Sequence, residues 1–264
     1  MLGRIVSPVP KDDRGKGRGQ EYMPQDQVGD FSSDGESRRT FGWKTRREMH
    51  TFSSHETHFL YCCDWSPVVT DIREQYTLPL SATKAICHEL GIAHPSMGGK
   101  LKPFTTDYVL NILRDDREEE VARSIKPAVA LENDSVLELA EVERRVHQSC
   151  GRDWGIVTEQ DIPAVLAANL KRIHPLYFLD QIRPISKNTV EQVRPYLLRA
   201  FARESRPLYQ VTDRSDKHFG LEPGDSLTIT FHLIANRKLL VNMMVPLNPR
   251  APLSLLPTHL RSHQ

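Results

Sequence analysis

Residues 105–126 decide how this chain folds, and they begin with the run Thr105-Thr106-Asp107-Tyr108-Val109-Leu110-Asn111-Ile112-Leu113. Apolar and polar side chains alternate along this run, which is the period of a half-buried β-strand. A charged turn, Arg114–Glu120, joins it to a second strand-like run, Val121–Lys126. Two such runs on either side of a short polar connection predict a β-hairpin.

The end of this hairpin carries the most informative chemistry. Residues two apart on a strand point to the same side, so Ser124 and Lys126 share a face while Ile125 points away and leaves its carbonyl available. If Asp107 faces the same way, a metal ion can sit between its carboxylate, the Ser124 hydroxyl and the Ile125 carbonyl. Mg²⁺ prefers such oxygen ligands and retains several waters.

A helix upstream offers a second carboxylate. The run Ser53-Ser54-His55-Glu56 has the form of a capping box, and apolar residues then recur at helical spacing. Glu56 can bind metal or position water, and Lys126 can orient the attacking water and stabilise charge on a phosphate. A plainer interpretation stays open, in which Glu56 only caps the helix, Asp107 is one of 18 acids between residues 51 and 160, and Lys126 faces solvent.

The rest of the first half also mixes helix and strand. We predict strands at Val68–Ile72 and Trp154–Thr158, a loop at 94–103, and a helix from Asp134 or Ser135 through Gln148. This order indicates an α/β fold. Residues 1–37 are polar and predict a basic arm that can be mobile.

Composition excludes several classes of protein. The 264 residues are 39% apolar, and no stretch approaches the roughly 18 apolar residues that cross a bilayer. The N-terminus lacks the apolar core of a secretory signal. Four cysteines form no Cys-x-x-Cys pair, so we expect no disulfide framework or zinc site, and a cytoplasmic setting.

Charge is unevenly distributed along the chain. Residues 1–50 carry 10 basic and 8 acidic groups, residues 51–160 carry 11 and 18, and residues 161–264 carry 14 and 8. An acidic middle between basic ends is compatible with a metal-using DNA enzyme, because carboxylates hold metal and basic surface attracts phosphate. The candidate DNA contacts are basic residues before the first helix, namely Arg18, Arg38, Arg39, Lys44, Arg46 and Arg47.

The pattern of the sequence changes after Pro163, where helical periods replace the mixture of helix and strand. Helical patterns run through Ala164–Leu179, broken at Pro175, and Thr189–Ala202, interrupted by Pro195. The run Ser226–Phe231 favours a strand because of its β-branched residues, although Pro223 and Asp225 can also start a helix there. We therefore predict two domains, 1–163 and 164–264, the second smaller, basic and mostly helical with a Pro-rich tail.

Five runs carry a resemblance to a known family. They are Arg18–Pro24, Trp65 with Thr70–Tyr76, Thr105–Tyr108, Ile125–Leu131 and Glu141–Arg145, in order between about residues 11 and 163. On these residues the chain resembles the TnsA family, the endonuclease subunits of heteromeric cut-and-paste DNA transposons. The second half is similar in outline only, best over residues 224–247.

The resemblance implies a restriction-endonuclease-like domain with a mixed sheet, followed by a winged-helix-like domain with strands from Lys238 to Val245. It places the catalytic residues at Glu56, Asp107 and Lys126, and metal ligands at Asp107, Glu56, Ser124 and Ile125. The family pattern has glutamine where this chain has Ser124, a shorter and weaker ligand. It also implies Mg²⁺, with Mn²⁺ as a substitute.

The same resemblance implies a setting. The family nicks the 5′ ends of a transposon while a TnsB-like transposase of the integrase type cuts and joins the 3′ ends. It further implies that the protein binds double-stranded transposon-end DNA and a TnsC-like ATPase regulator. The implied location is the bacterial cytoplasm, at the nucleoid when the protein is bound to DNA, and no membrane is involved. Two alternatives stay open: a DNA-binding adaptor whose site has decayed at Ser124, and a stand-alone restriction-type nuclease.

Overall fold

The structure, a computed structural model, describes residues 14–30, 36–179 and 184–257. The chain divides between Ile162 and Pro163 into two compact units. From residue 38 the first unit mixes strands and helices. Its elements are β1 (Arg38–Phe41), β2 (Glu48–Thr51), α1 (Ser54–Trp65), β3 (Val69–Thr77), α2 (Leu80–Leu90), β4 (Ser96–Met97), β5 (Lys100–Leu101), β6 (Thr105–Arg114), β7 (Arg117–Ile125), α3 (Asp134–Ser149) and β8 (Asp153–Val157).

The predicted hairpin forms the centre of a four-stranded sheet with the order β3-β6-β7-β8. Strands β6 and β7 are antiparallel, with Leu110 opposite Val121, and β3 pairs antiparallel with β6. Strand β8 pairs parallel with β7 through the crossover that contains α3. The sheet is therefore mixed, and the predicted α/β class is confirmed for this unit.

Two apolar clusters hold the helices to the sheet. Helix α1 packs Leu60 and Cys63 with Ile72, Tyr108 and Leu110 of the sheet. The second cluster joins α2 and α3 to the ends of β3 and β6, and consists of Leu78, Cys87, Phe104, Val142 and Val146. All four cysteines are free thiols.

Helix α2 is an element that the sequence pattern did not predict. Pro79 stands at its N-cap and Gly91, with φ +68°, ends it in the left-handed conformation that glycine adopts at little cost. These boundary signals were present in the sequence. The helix buries Thr83 and Cys87, which is too short a stripe to stand out as a period.

Residues 14–30, expected as part of a mobile arm, pack onto the first unit. The Tyr22 hydroxyl donates to the Glu74 carbonyl at 3.0 Å, and the Gln25 N–H donates to the Gln75 carbonyl at 3.2 Å. Gly17 has φ +90°, and a Cβ there would lie 2.6 Å from the Glu21 carbonyl oxygen, so the turn requires glycine. The other arm residues, 1–13 and 31–35, lie outside the described residues.

The second unit is built from helices, namely α4 (Ala164–Ile173), α5 (Lys187–Arg203), α6 (Leu208–Phe219) and α7 (Asp225–Ala235). Helix α5 continues through Pro195. The strand favoured at Ser226–Phe231 is wrong, because α7 occupies those residues. Its N-terminus is capped from α6, since Asp216 accepts from the Ser226 N–H at 2.7 Å, and its side chains are buried nearly all round. Packing therefore overrides the β propensity of its Ile and Thr residues.

The winged-helix expectation is not confirmed. Within the described part of residues 163–257 the only strand-type pairing is an isolated antiparallel bridge between Val241 and Leu255. Pro246, Pro249 and Pro252 in that segment lack the N–H that a strand ladder needs. Among the described residues, no helix combines the length and apolarity needed to span a membrane.

Candidate active site

The sheet brings Asp107 and Lys126 into direct contact. The Asp107 carboxylate accepts the Ile125 N–H at 2.6 Å and the Lys126 ammonium at 3.1 Å, both through Oδ2. Burial lowers the pKa of Lys126, but the negative charges of Asp107 and Glu143 outweigh that effect and raise it. Lys126 is therefore held as a cation, suited to stabilise negative charge rather than to accept a proton.

Strand β3 is distorted at the level of Asp107. Glu74 pairs with Tyr108 and Tyr76 pairs with Thr106, while Gln75 between them adopts φ +47°. A positive φ at a non-glycine residue in a strand is uncommon and costs backbone energy. The distorted residue points its amide at the site, because Gln75 Nε2 donates to Glu56 Oε2 at 3.4 Å.

Glu56 is both the capping residue and a member of the site. Its N–H donates to Ser53 Oγ at 3.1 Å, and its carboxylate accepts from the Phe52 N–H and the Ser53 hydroxyl, each at 3.0 Å. Burial first, and then the charge of Asp107, raises the pKa of Glu56 to about 7. The capping interpretation and the functional one are thus compatible.

Ser124 is fully buried and bonds to a residue that sequence reasoning did not assign to the site. Its hydroxyl donates to Glu143 Oε2 at 2.5 Å, and the Thr106 hydroxyl donates to the same oxygen at 3.0 Å. Burial, followed by the charge of Asp107, raises the pKa of Glu143 to about 7. The sequence did contain a signal for the burial of Glu143, because this residue lies on the apolar stripe of α3 between Ala140 and Val146.

One carboxylate, that of Asp107, contacts the Lys126 ammonium, and the carboxylates of Glu56 and Glu143 lie near enough to act on its charge. Burial is the larger cause of the raised pKa values of both glutamates, and the charge of Asp107 is the second cause, a repulsion that a divalent cation would relieve. No three His, Cys, Asp or Glu side chains among the described residues converge enough to hold an ion alone. The donor set therefore fits Mg²⁺ only with oxygen ligands of other kinds, such as the Ile125 carbonyl and water.

Arg47, one of the predicted DNA contacts, is a structural residue. It is buried, and its guanidinium donates to both Glu74 carboxylate oxygens, at 2.7 and 2.6 Å, and to the Ile72 and Gly19 carbonyls. Because these contacts within the first unit use the guanidinium donors of Arg47, the side chain presents no donor to a phosphate. The basic run predicts exposure, but the buried Glu74 opposite draws this one side chain inward.

The other predicted DNA contacts lie at or near the surface. Arg18 is paired with Glu120 at 2.8 Å with its side chain 61% exposed, and Arg39 donates to the Val28 carbonyl at 2.7 Å. Arg38 pairs with Glu36 at 3.2 Å, and Lys44 donates to the Ser66 carbonyl at 2.7 Å. Arg46 is exposed. Their contact with DNA stays a prediction.

Comparison with known proteins shows the family of the chain. A family model described as TnsA-like endonuclease N terminal matches residues 66–159, and one described as TnsA endonuclease C terminal matches residues 161–243. These two matches define the class of the protein, an endonuclease.

A curated relative narrows this class to one family. The chain is 30% identical to "Transposon Tn7 transposition protein TnsA" of Escherichia coli over 226 residues, which is 86% of this chain and 81% of that protein. The chain belongs to the TnsA family and is the endonuclease subunit of a transposase. The resemblance found in the sequence is confirmed.

Proposed function

We propose that this protein is a Mg²⁺-dependent DNA endonuclease that cleaves at the 5′ ends of a transposon. The observation that carries the proposal is the contact between Asp107 and Lys126, at 3.1 Å, beside the carboxylates of Glu56 and Glu143. A cation next to clustered carboxylates is suited to phosphodiester hydrolysis, which needs stabilisation of charge on the phosphate and an oriented water.

Each residue has a distinct role in this proposal. Asp107 holds the metal ion, with Glu56, the Ile125 carbonyl and Ser124 as further candidate ligands. The bound ion would supply Lewis acidity and a more acidic water. Lys126 stabilises the charge that develops on the scissile phosphate, while the Ile125 N–H keeps the Asp107 carboxylate in place. Glu56 orients water from the first turn of α1.

The partners are part of the proposal. The relative is named a Tn7 transposition protein, and on that basis we place this chain with double-stranded transposon-end DNA and a TnsB-like transposase that cuts and joins the 3′ ends. A TnsC-like ATPase regulator would contact the same assembly. We propose a bacterial cytoplasmic location, at the nucleoid when bound to DNA.

Strand-resolved cleavage of labelled transposon-end DNA, with Mg²⁺ or Mn²⁺ and with or without the partner transposase, tests the proposal. Wild type is compared with Asp107→Asn and Lys126→Met, which keep side-chain size. Asp116→Asn, at the exposed hairpin turn, is the matched control. We expect 5′ nicks with wild type and the control, and none with the site variants. If both site variants still nick the 5′ ends, the proposal is wrong.

Metal binding provides a second readout without turnover. A site that holds Mn²⁺ in the folded state raises the melting temperature by mass action, and Asp107→Asn abolishes that rise. No metal-dependent rise in wild type, with the partner still cutting the 3′ ends, would instead favour the adaptor function. That result would point to Ser124 as the lost ligand.

A further inference from the structure

A chain of hydrogen bonds connects Arg152, which follows α3, to the proposed active site. It begins at Arg152, whose Nη2 and Nε donate to Glu120 Oε2 at 2.6 and 3.1 Å, and whose Nη1 lies 3.0 Å from His147 Nδ1. Arginine has donors and no acceptor, so His147 Nδ1 must accept. Burial, then the charge of Arg152, lowers the pKa of His147 to about 4, which agrees with a neutral ring.

This tautomer sets the direction of the next two bonds. With Nδ1 accepting, the ring proton of His147 lies on Nε2, which is 2.8 Å from Thr106 Oγ1. Thr106 Oγ1 accepts a hydrogen bond from this N–H, so the Thr106 hydroxyl proton is free to be donated to Glu143 Oε2, at 3.0 Å. Ser124 donates to the same oxygen from the other strand of the hairpin.

The chain is buried where it meets the site. Thr106, His147 and Ser124 have no exposed surface, and Glu143 is 6% exposed. Thr106 and Ser124 each immediately precede a residue of the site, Asp107 and Ile125. A buried carboxylate in a low-dielectric environment is held strongly by its donors, so the hydroxyls determine where the Glu143 carboxylate stands relative to Asp107 and Lys126.

We propose that Thr106 and His147 are positioning residues for DNA cleavage, and that they act through Glu143. They hold Glu143 Oε2 against the Ser124 hydroxyl, which commits the Ser124 proton to Glu143 and leaves the lone pairs of Ser124 Oγ for other partners. This device would help the short serine serve at the position that is glutamine in the family pattern. The inference rests on the proposed function, since it concerns the same site.

Two substitutions at residue 106 separate positioning from packing. Thr106→Val keeps shape and removes the hydroxyl, whereas Thr106→Ser restores it. The matched control is Thr83→Val in α2, outside the site, because Thr83 is equally buried and its hydroxyl lies 3.0 Å from the Nε2 of His94, compared with 2.8 Å between Thr106 and His147. Each valine variant removes the hydroxyl partner of a histidine Nε2, that of the buried His147 or that of the half-buried His94, so a loss of stability is expected in both.

The readouts are kcat and KM for 5′ nicking below the melting temperature of every variant, and the rise in melting temperature caused by Mn²⁺. We expect Thr106→Val to lower kcat by about 10- to 100-fold, as for residues that orient metal ligands, with KM within about twofold. Thr106→Ser recovers most of kcat, and Thr83→Val keeps it within about twofold.

The outcomes distinguish this inference from the proposed function. Unchanged kcat in Thr106→Val, or an equal loss in Thr83→Val, overturns the positioning role while the nuclease stands. If wild type makes no nicks, the proposed function fails, and the Mn²⁺-dependent rise still compares the variants. An equal rise in wild type and Thr106→Val, or no rise in either, then overturns the positioning role as well.

Discussion

Replacing Glu143 by glutamine is expected to stabilise the metal-free protein at alkaline pH. The amide keeps an oxygen that can accept from Ser124 and Thr106, so the hydrogen bonds at 2.5 and 3.0 Å have a partner. What the substitution removes is a carboxylate that is buried and faces the charge of Asp107, the two causes that raise the pKa of Glu143.

The magnitude follows from that pKa, which rises from 4.5 to about 7 on folding. Between these values the folded protein holds a proton that the unfolded chain has lost, so stability falls as pH rises through this window. Above pH 7 the full cost is present, about 3 kcal/mol at 1.36 kcal/mol per pKa unit, and at pH 5 it is below about 1 kcal/mol. Glu143→Gln abolishes it, which corresponds to a melting temperature roughly 6–12 °C higher at pH 8.

Thermal and urea unfolding of the full chain in EDTA, from pH 5 to pH 8, measures this difference. Glu138→Gln is the matched control, because Glu138 lies on the exposed side of the same helix α3. The control is expected to follow wild type at every pH, and the gain of Glu143→Gln to grow with pH. A Glu143→Gln protein no more stable than wild type at pH 8 would refute the reasoning, and would mean that Lys126 and the two hydroxyls compensate the charge fully.

Two further predictions concern stability. Arg47→Met leaves the Glu74 carboxylate buried without its cation, and it is expected to lower the free energy of unfolding in urea by about 3–5 kcal/mol. The surface substitution Arg38→Met is expected to lower it little. Weaker DNA binding of Arg47→Met with unchanged stability would contradict the structural role of Arg47. Ser53→Ala removes the N-cap of α1 and one donor to Glu56, and it is expected to lower the free energy of unfolding by about 1 kcal/mol and to slow 5′ nicking. Unimpaired nicking would show that the cap does not orient Glu56.

The buried ion pair also changes how the basic residues near the N-terminus are understood. Arg47 lies in a run whose composition suggested phosphate contacts, yet its donors are used by Glu74 and by the Gly19 and Ile72 carbonyls. It therefore ties residues 14–30 to strand β3. Arg18, by contrast, keeps most of its side chain in solvent beside Glu120, where a phosphate can compete for it.

The sequence by itself determined the features that depend on neighbours along the chain. The alternation over residues 105–113 predicted strand β6, and the capping box at Ser53 predicted the start of α1. The ordered runs between residues 11 and 163 were enough to identify the family. These are local patterns, set by backbone period and side-chain capping, and they do not depend on which elements later meet.

Only the tertiary structure decided which distant groups share a site. The packing of α3 on the sheet brings the Glu143 carboxylate to 2.5 Å from the Ser124 hydroxyl, which the spacing of the two residues in the sequence does not predict. In the same way Arg47 belongs to a basic run that predicts exposure, and it is buried because Glu74 faces it. Likewise Asp216, nine residues before α7, caps that helix and allows buried β-branched residues to be helical. Hydrogen bonding and desolvation act through space, so their consequences are absent from sequence spacing and appear only when the elements are packed together.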